Sequence, residues 1–120
     1  MPRLLWPLLG LMLLAGCASN KDRPELTEVD QYREASESLE SKNYLTAIDQ
    51  LKELEARFPY GDFAEQAALD LIYAQYRAVD YPATVVAAQR FMRNYPAHPR
   101  MDYALYMRGL ANFNMEKGLF

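Results

Sequence analysis

Apolar side chains recur with a helical period through most of the chain. They follow one another at spacings of four, three and three residues, which places them on one face of a helix. One series is Tyr44, Ile48, Leu51 and Leu54, and a second is Tyr81, Val85, Ala88 and Phe91. Prolines interrupt the pattern, because proline lacks an amide donor and moves its predecessor out of the helical region. The pattern predicts an all-α fold with helices at about 28–41, 44–57, 62–78, 82–94 and 100–116.

The two series are related by an offset of 37 residues, and the turns after them, Phe58-Pro59 and Tyr95-Pro96, share that offset. A helix-turn-helix unit cannot bury its apolar face alone, so such units stack into a solenoid, and tetratricopeptide repeats have a similar period of about 34 residues. We therefore expect a tetratricopeptide-like solenoid over 28–120, with repeats at 28–61 and 62–99 and a third, truncated repeat at 100–120. A plain helical bundle is the alternative.

The start of the chain has the pattern of a bacterial secretory leader. Arg3 precedes an apolar run, Leu4–Leu14, and small residues then precede the single cysteine, Cys17. A transmembrane helix is the alternative, but the run is shorter than the roughly 20 residues that span a bilayer. An internal disulfide is excluded by the lone cysteine, and a buried thiol is disfavoured by the polar residues that follow it.

Leu14–Cys17 is similar to the cleavage site of a lipoprotein. The similarity implies that residues 1–16 are a signal peptide, that lipid is attached to Cys17 and that residues 17–27 form a polar tether. Lipid chains of this kind hold a protein to a membrane without a spanning helix. Ala18 follows the cysteine where lipoproteins of the inner membrane carry aspartate, so the similarity implies an outer-membrane location.

Composition and charge argue against several classes of function. The formal net charge is −3, without a cluster of basic residues, which does not favour nucleic acid. The only histidine, His98, lies between two prolines, and with Cys17 as the only cysteine a His/Cys metal site cannot be assembled. The chain has no glycine-rich phosphate loop. We expect a protein that is not an enzyme and needs no metal or cofactor.

The first helix of each tetratricopeptide repeat lines the concave face of the array, and the repeat offset maps an aromatic stripe onto that face. The stripe comprises Tyr32, Leu39, Gln66, Leu69, Tyr73, Tyr76, Arg77, Tyr103, Tyr106, Leu110 and Phe113. Aromatic and Arg side chains are enriched at binding hot spots, and a guanidinium can hold a carboxylate through two bonds. We predict a peptide-binding site at Tyr73, Tyr76, Arg77, Tyr103 and Tyr106. The alternative is that the stripe is core, above all at Leu69, Tyr76 and Leu110.

Four segments carry a resemblance to a known family. They keep the order and spacing of motifs in the BamD (ComL-like) family of outer-membrane assembly lipoproteins, which they resemble. The segments are Leu14–Cys17, Arg57–Gly61, Leu69–Ala74 and His98–Leu110, and the last of them is the most specific match. The resemblance covers nearly all of the mature chain and corresponds to the N-terminal half of the family's roughly five tetratricopeptide-like repeats.

The resemblance implies a role in the insertion of β-barrel proteins into the outer membrane. The implied partners are a BamA-type barrel subunit, other assembly lipoproteins, the membrane through the lipid, and unfolded outer-membrane proteins that end in an aromatic residue and a free carboxylate. One rival is a periplasmic repeat lipoprotein that coordinates cell-wall or envelope-constriction proteins. Another is an accessory domain that positions a catalytic region elsewhere in a longer chain.

Overall fold

The computed structural model describes residues 24–118, and within that range it contains five α-helices and no strand. The helices are α1 (Glu28–Glu40), α2 (Tyr44–Arg57), α3 (Ala64–Arg77), α4 (Tyr81–Asn94) and α5 (Met101–Lys117). Each helix packs against the next as a helical hairpin, and α3 also contacts α5. The expected all-α, tetratricopeptide-like fold is confirmed. The predicted signal peptide, Cys17 and the first part of the tether lie outside the described residues.

Positions that are 37 residues apart have matching burial in the two B helices, α2 and α4. Leu51 and Ala88 are both fully buried, and Leu54 and Phe91 are each 1% exposed. Each hairpin therefore presents the same apolar face to its neighbour, although the side chains that fill it differ in size. The repeat offset read from the residue types is the offset of the three-dimensional packing.

Helix α3 belongs to two hydrophobic clusters. Ala67, Leu71 and Ala74 pack with α1 and α2, whereas Ala68 and Ile72 pack with α4 and α5. Alanines at the closest approaches allow neighbouring helices to come within the usual interaxial distance of 8–10 Å. Because α3 is covered on two sides, only a narrow face of it is left for binding.

The turns inside the two hairpins are alike. Lys42 and Val79, again 37 residues apart, both adopt a left-handed conformation with φ of 61° and 64°. The next amides, of Asn43 and Asp80, donate to the carbonyl oxygens of Ser38 and Gln75 at 2.8 and 3.0 Å. This is the Schellman pattern of helix termination, which usually has glycine at the left-handed residue. Neither turn contains glycine, so the sequence gives only a weak signal that a helix ends there.

The turn between the first two hairpins is longer than expected, because α3 begins at Ala64 and not at residue 62. The amide of Phe63 donates to the Glu28 carboxylate at 2.9 Å, so a side chain from α1 caps α3. Gly61 leaves room for this carboxylate, which a Cβ at that position would overlap.

The turn between the second hairpin and α5 has an imidazole in the corresponding place. His98 Nε2 lies 3.2 Å from the Glu65 carboxylate, and His98 Nδ1 accepts a hydrogen bond from the Arg100 amide at 3.0 Å. The His98 ring also packs edge-on against Phe91, with 5.1 Å between ring centroids. His98 therefore caps α5 and contributes to the core at the same time.

Candidate functional site

The odd-numbered helices α1, α3 and α5 share one face, on which most of the predicted stripe lies. Tyr32 on α1 donates to the Asp70 carboxylate on α3 at 2.8 Å, and its ring stacks on Phe63 with 4.6 Å between centroids. Gln66 donates to the other oxygen of Asp70, also at 2.8 Å. The centre of this face is thus a carboxylate held by two side-chain donors.

One end of the face is a cluster around Arg77, at the last turn of α3. The Arg77 guanidinium lies 5.1 Å from the Tyr44 ring centroid and 5.8 Å from that of Tyr73, and it donates to the Tyr73 hydroxyl at 3.0 Å. Arg77 is exposed. Guanidinium has five N–H donors in a fixed plane, and the contact with the Tyr73 hydroxyl orients the group through one of them.

Tyr44 belongs to the Arg77 cluster, although the sequence prediction did not include it. Its ring meets Tyr73 edge-on, with 6.1 Å between centroids. Removal from water beside Tyr73 raises the pKa of the Tyr44 hydroxyl, and the charge of Arg77 opposes the rise. Tyr44 is on the first turn of α2, so only the hairpin turn brings it beside the end of α3. The repeat offset, which pairs Tyr44 with Tyr81 as a packing position, gave no sign of this.

A cavity of about 180 Å³ adjoins the cluster between α3 and the start of α5. Its lining residues are Gln66, Leu69, Asp70, Tyr73, Arg100 and Tyr103. The Arg100 guanidinium lies 5.1 Å from the Tyr103 ring centroid. Burial raises the pKa of Tyr103, Asp70 and Tyr73 add to the rise, and Arg100 opposes it. The cavity therefore has aromatic walls, one carboxylate and one guanidinium.

The five residues of the predicted site fall into three environments. Tyr73 and Tyr103 line the cavity together, and Arg77 lies beside Tyr73. Tyr76 instead packs on Tyr81, and its hydroxyl accepts from Asn114 at 3.2 Å, as expected for a residue that is partly core. Tyr106 is 64% exposed and does not line the cavity.

Asp70 and Arg100 are two polar residues of the cavity that the sequence prediction missed. Asp70 falls in the apolar-rich segment of α3, and Arg100 precedes α5 at the end of a proline-containing turn. An acidic residue that follows Leu69 in an otherwise buried helix is a usable signal, because an unpaired carboxylate there would be costly. Arg100 could be placed only once the bounds of the turn were known.

The remaining stripe residues differ in exposure. Leu69 is 5% exposed and belongs to the core, whereas Phe113 is 56% exposed on α5. No helix in the described part of the chain is both long and apolar enough to cross a membrane. Among residues 24–118, no group of three or more His, Cys, Asp or Glu side chains is placed to hold a metal ion.

Comparison with known proteins gives one family match and several relatives. The family model described as tetratricopeptide repeat matches residues 19–120. Outer membrane protein assembly factor BamD of Vibrio cholerae is 42% identical over 111 residues, which are 92% of this chain and 46% of the relative. BamD of Neisseria gonorrhoeae is 40% identical over 91% of this chain and 43% of its own length. BamD of Pasteurella multocida is 38% identical over 82% of this chain and 38% of its own length. The chain thus spans less than half the length of these curated relatives.

Proposed function

Because the chain belongs to the tetratricopeptide-repeat family and is similar to BamD proteins along most of its length, we propose that it is an outer-membrane lipoprotein of the β-barrel assembly machinery. In this role it is a non-enzymatic scaffold that helps outer-membrane proteins to fold and insert. Its partners are a BamA-type barrel subunit, other assembly lipoproteins and unfolded outer-membrane proteins. The observation that carries the proposal is 42% identity to an outer membrane protein assembly factor over 92% of this chain.

The anchor in this proposal is lipid on Cys17, which holds the helical array at the periplasmic face of the outer membrane. A Cys17→Ser variant should be released from the membrane fraction, while its helical circular dichroism stays that of the parent chain. Membrane retention of the unlipidated variant would contradict the anchor.

The substrate-recognition part of the proposal concerns the cavity between Tyr73 and Tyr103 and the adjacent Arg77. An engineered cavity of about 150 Å³ holds a benzene ring, so a cavity of about 180 Å³ has room for one phenyl side chain. Inside the cavity the Asp70 carboxylate offsets the charge of Arg100, whereas the exposed Arg77 guanidinium is held only by aromatic rings and the Tyr73 hydroxyl. We therefore place the terminal carboxylate of a bound chain towards Arg77. A chain that ends in an aromatic residue satisfies both requirements.

A peptide-binding experiment tests this orientation. The ligand is a decapeptide that ends in phenylalanine, prepared with a free carboxylate and as the C-terminal amide. A hydrogen bond to a charged group contributes about 1.5–3 kcal/mol, so Arg77→Ala should weaken binding of the free-carboxylate peptide at least about tenfold. The amide should lose much less. Arg93→Ala, an exposed arginine on α4, is the matched control and should change neither affinity.

Equal weakening of both peptides by Arg77→Ala would contradict the carboxylate role. The complex itself is tested by purification of the lipidated protein from outer membranes in mild detergent, with mass spectrometry of what is bound. A barrel-bearing subunit with periplasmic domains supports the proposal. Cell-wall or constriction proteins without that subunit would overturn it in favour of the rival class.

A further inference from the structure

The cavity between α3 and the start of α5 has opposite charges on its two walls. Asp70 lies on α3, and Arg100 is the residue that precedes α5. Arg100 is exposed, its guanidinium lies 5.1 Å from the Tyr103 ring centroid, and it forms no ion pair within residues 24–118. Its N–H donors are therefore available to a molecule that enters the cavity.

The Asp70 carboxylate is held at both oxygens but can still accept a hydrogen bond. Its Oδ2 accepts from the Tyr32 hydroxyl in a partly buried contact, and its Oδ1 accepts from the Gln66 amide in an exposed contact, both at 2.8 Å. An ionised carboxylate has about four acceptor sites. Acceptor capacity is thus left over, and the exposed Oδ1 is the oxygen that a ligand can reach.

The chemistry of the two walls selects a neutral group that is both a donor and an acceptor. A cation in the cavity would be repelled by Arg100 and an anion by Asp70, because like charges that face each other oppose binding. A peptide group is neutral, and since it is planar and trans, its N–H and its C=O point to opposite sides. An N–H on the α3 side meets Asp70, and a C=O on the side of α5 meets Arg100.

We propose that Asp70 and Arg100 clamp one peptide group of the captured chain, the group that joins its terminal aromatic residue to the residue before it. The clamp rests on the proposed function, in which the aromatic ring occupies the cavity and the terminal carboxylate lies towards Arg77. The N–H of the aromatic residue donates to Asp70 Oδ1, and the carbonyl oxygen of the preceding residue accepts from Arg100. The site therefore requires an unsubstituted backbone nitrogen at the last residue of its substrate.

The spacing along α3 agrees with this assignment. Arg77 lies seven residues, or about two helical turns, beyond Asp70 on the same face, which is about 10 Å along the axis. The Arg77 side chain reaches back along α3, because it donates to the Tyr73 hydroxyl. The amide nitrogen and the carboxylate of one residue, with a hydrogen bond of about 3 Å at each end, cover this shortened distance. The bound chain thus ends towards the C-terminus of α3.

The test compares the decapeptide that ends in phenylalanine with an analogue in which an ester replaces its last peptide bond. The ester removes the N–H and keeps the ring and the terminal carboxylate. With the full mature chain, the ester should bind at least about tenfold more weakly in fluorescence anisotropy, because a hydrogen bond to a charged group is lost. An ester in place of the second peptide bond of the same decapeptide is the control and should bind within about twofold of the parent.

Asp70→Asn tests the acceptor. The variant removes the charge and keeps an oxygen for the Tyr32 hydroxyl, so the difference between the amide and the ester should shrink to about threefold or less. Asp49→Asn makes the same charge change at an exposed position of α2 and should keep the full difference. Circular dichroism should show equal helix content in both variants.

Arg100→Ala tests the donor and separates it from Arg77. Because the partner of Arg100 is a backbone carbonyl, the variant should weaken the free-carboxylate and C-terminal amide forms of the decapeptide by the same factor, about threefold or more. A loss confined to the free-carboxylate form would overturn the clamp, since Arg100 would then bind the terminal carboxylate.

Two further outcomes separate the clamp from the function on which it rests. Equal affinity of the parent decapeptide and its ester would overturn the clamp, while capture of the chain end by the cavity and Arg77 would stand. No binding of the parent decapeptide would overturn that capture, and the clamp with it.

Discussion

The two junctions between hairpins have the same backbone turn but close it with different side chains. At the first junction, the Glu28 carboxylate reaches the Phe63 amide directly, past Gly61. The positions 37 residues later are Glu65, Arg100 and His98, in that order. There the imidazole occupies the space that glycine leaves open, and it connects the Glu65 carboxylate to the Arg100 amide.

The comparison teaches that Gly61 is required for space and not for backbone conformation. Its φ is not in the left-handed region, where glycine is usually needed. At the first junction the Glu28 carboxylate contacts the Phe63 amide directly, which requires a glycine at position 61. At the second junction the His98 imidazole lies between the Glu65 carboxylate and the Arg100 amide, so neither a glycine nor a direct contact is needed. At both junctions the amide of the residue that precedes the next helix, Phe63 or Arg100, donates to a side-chain acceptor.

Truncation of the imidazole should have the largest effect. His98→Ala removes the hydrogen bond from the Arg100 amide, the contact with the Glu65 carboxylate and the ring that packs on Phe91, so we expect a loss of about 2 kcal/mol in the free energy of unfolding. Urea denaturation followed by circular dichroism measures it. His98→Asn keeps an acceptor near the Arg100 amide and should recover part of the loss. If both variants lost the same amount, the polar contacts of the imidazole would contribute nothing beyond ring packing.

The next largest effect is expected at Gly61. Gly61→Ala displaces the Glu28 carboxylate, which is the flexible end of its side chain, so the cost is that of a lost helix cap, about 1–2 kcal/mol. Gly109→Ala is the matched control, because its Cβ would have no other atom within 4 Å. It should be neutral or stabilising by up to about 1 kcal/mol, since alanine is the better helix former.

A double-mutant cycle checks the reason for the Gly61 effect. In a Glu28→Ala background the carboxylate is gone, so Gly61→Ala should cost little. Additive losses from the two changes would mean that the alanine strains the backbone and not the cap.

A smaller effect is expected from the left-handed residues of the hairpin turns. Val79 is β-branched with φ of 64°, a conformation that costs such residues about 1–2 kcal/mol. Glycine also gives the unfolded chain more conformational entropy, which offsets part of this gain. Val79→Gly should therefore stabilise the chain by about 0.5–1 kcal/mol. Lys42→Gly, at the same position of the first hairpin, should gain less because lysine is not β-branched. Equal melting-temperature gains would remove the distinction between the two turns.

The smallest effect is confined to alkaline pH and concerns the first junction. Burial, and then the hydrogen bond to Asp70, raise the pKa of Tyr32 from 10.0 to about 12. A group whose pKa is raised on folding contributes stability below its unfolded value and loses it as pH rises through the folded value. Stability from Tyr32 should thus be lost between pH 10 and about 12. Absorbance titration should show one tyrosine fewer in this range in Tyr32→Phe, and identical curves would contradict the assignment.

Sequence reasoning was effective where a contact depends on periodicity. The equal burial of Leu54 and Phe91 follows from helix spacing and the offset of 37 residues, so it could be read in advance. The structural equivalence of positions 61 and 98 could not, because glycine leaves space for the capping carboxylate of Glu28 whereas histidine is itself the acceptor. Their equivalence is visible only when the carboxylate from the preceding odd-numbered helix, Glu28 on α1 or Glu65 on α3, is in place.

At the candidate site the same limit applies. Tyr73, Tyr103 and Arg77 could be placed on one face from helical spacing. The addition of Tyr44 and Arg100, and the departure of Tyr76 into packing, depend on which neighbouring helix or turn adjoins each side chain. Helical spacing gives the face of a side chain but not the residues of other elements that meet it there.

The sequence by itself determined the all-α class, the repeat offset and the five helices, because apolar spacing and proline turns are local properties of the chain. Tertiary structure alone decided which groups meet: the Asp70 carboxylate with the Tyr32 hydroxyl, and the Arg77 guanidinium with the Tyr44 ring. These pairings join residues from different helices, and their geometry depends on the exact bounds of the turns between them. Periodicity fixes the face on which a side chain lies, and only packing fixes its neighbour on that face.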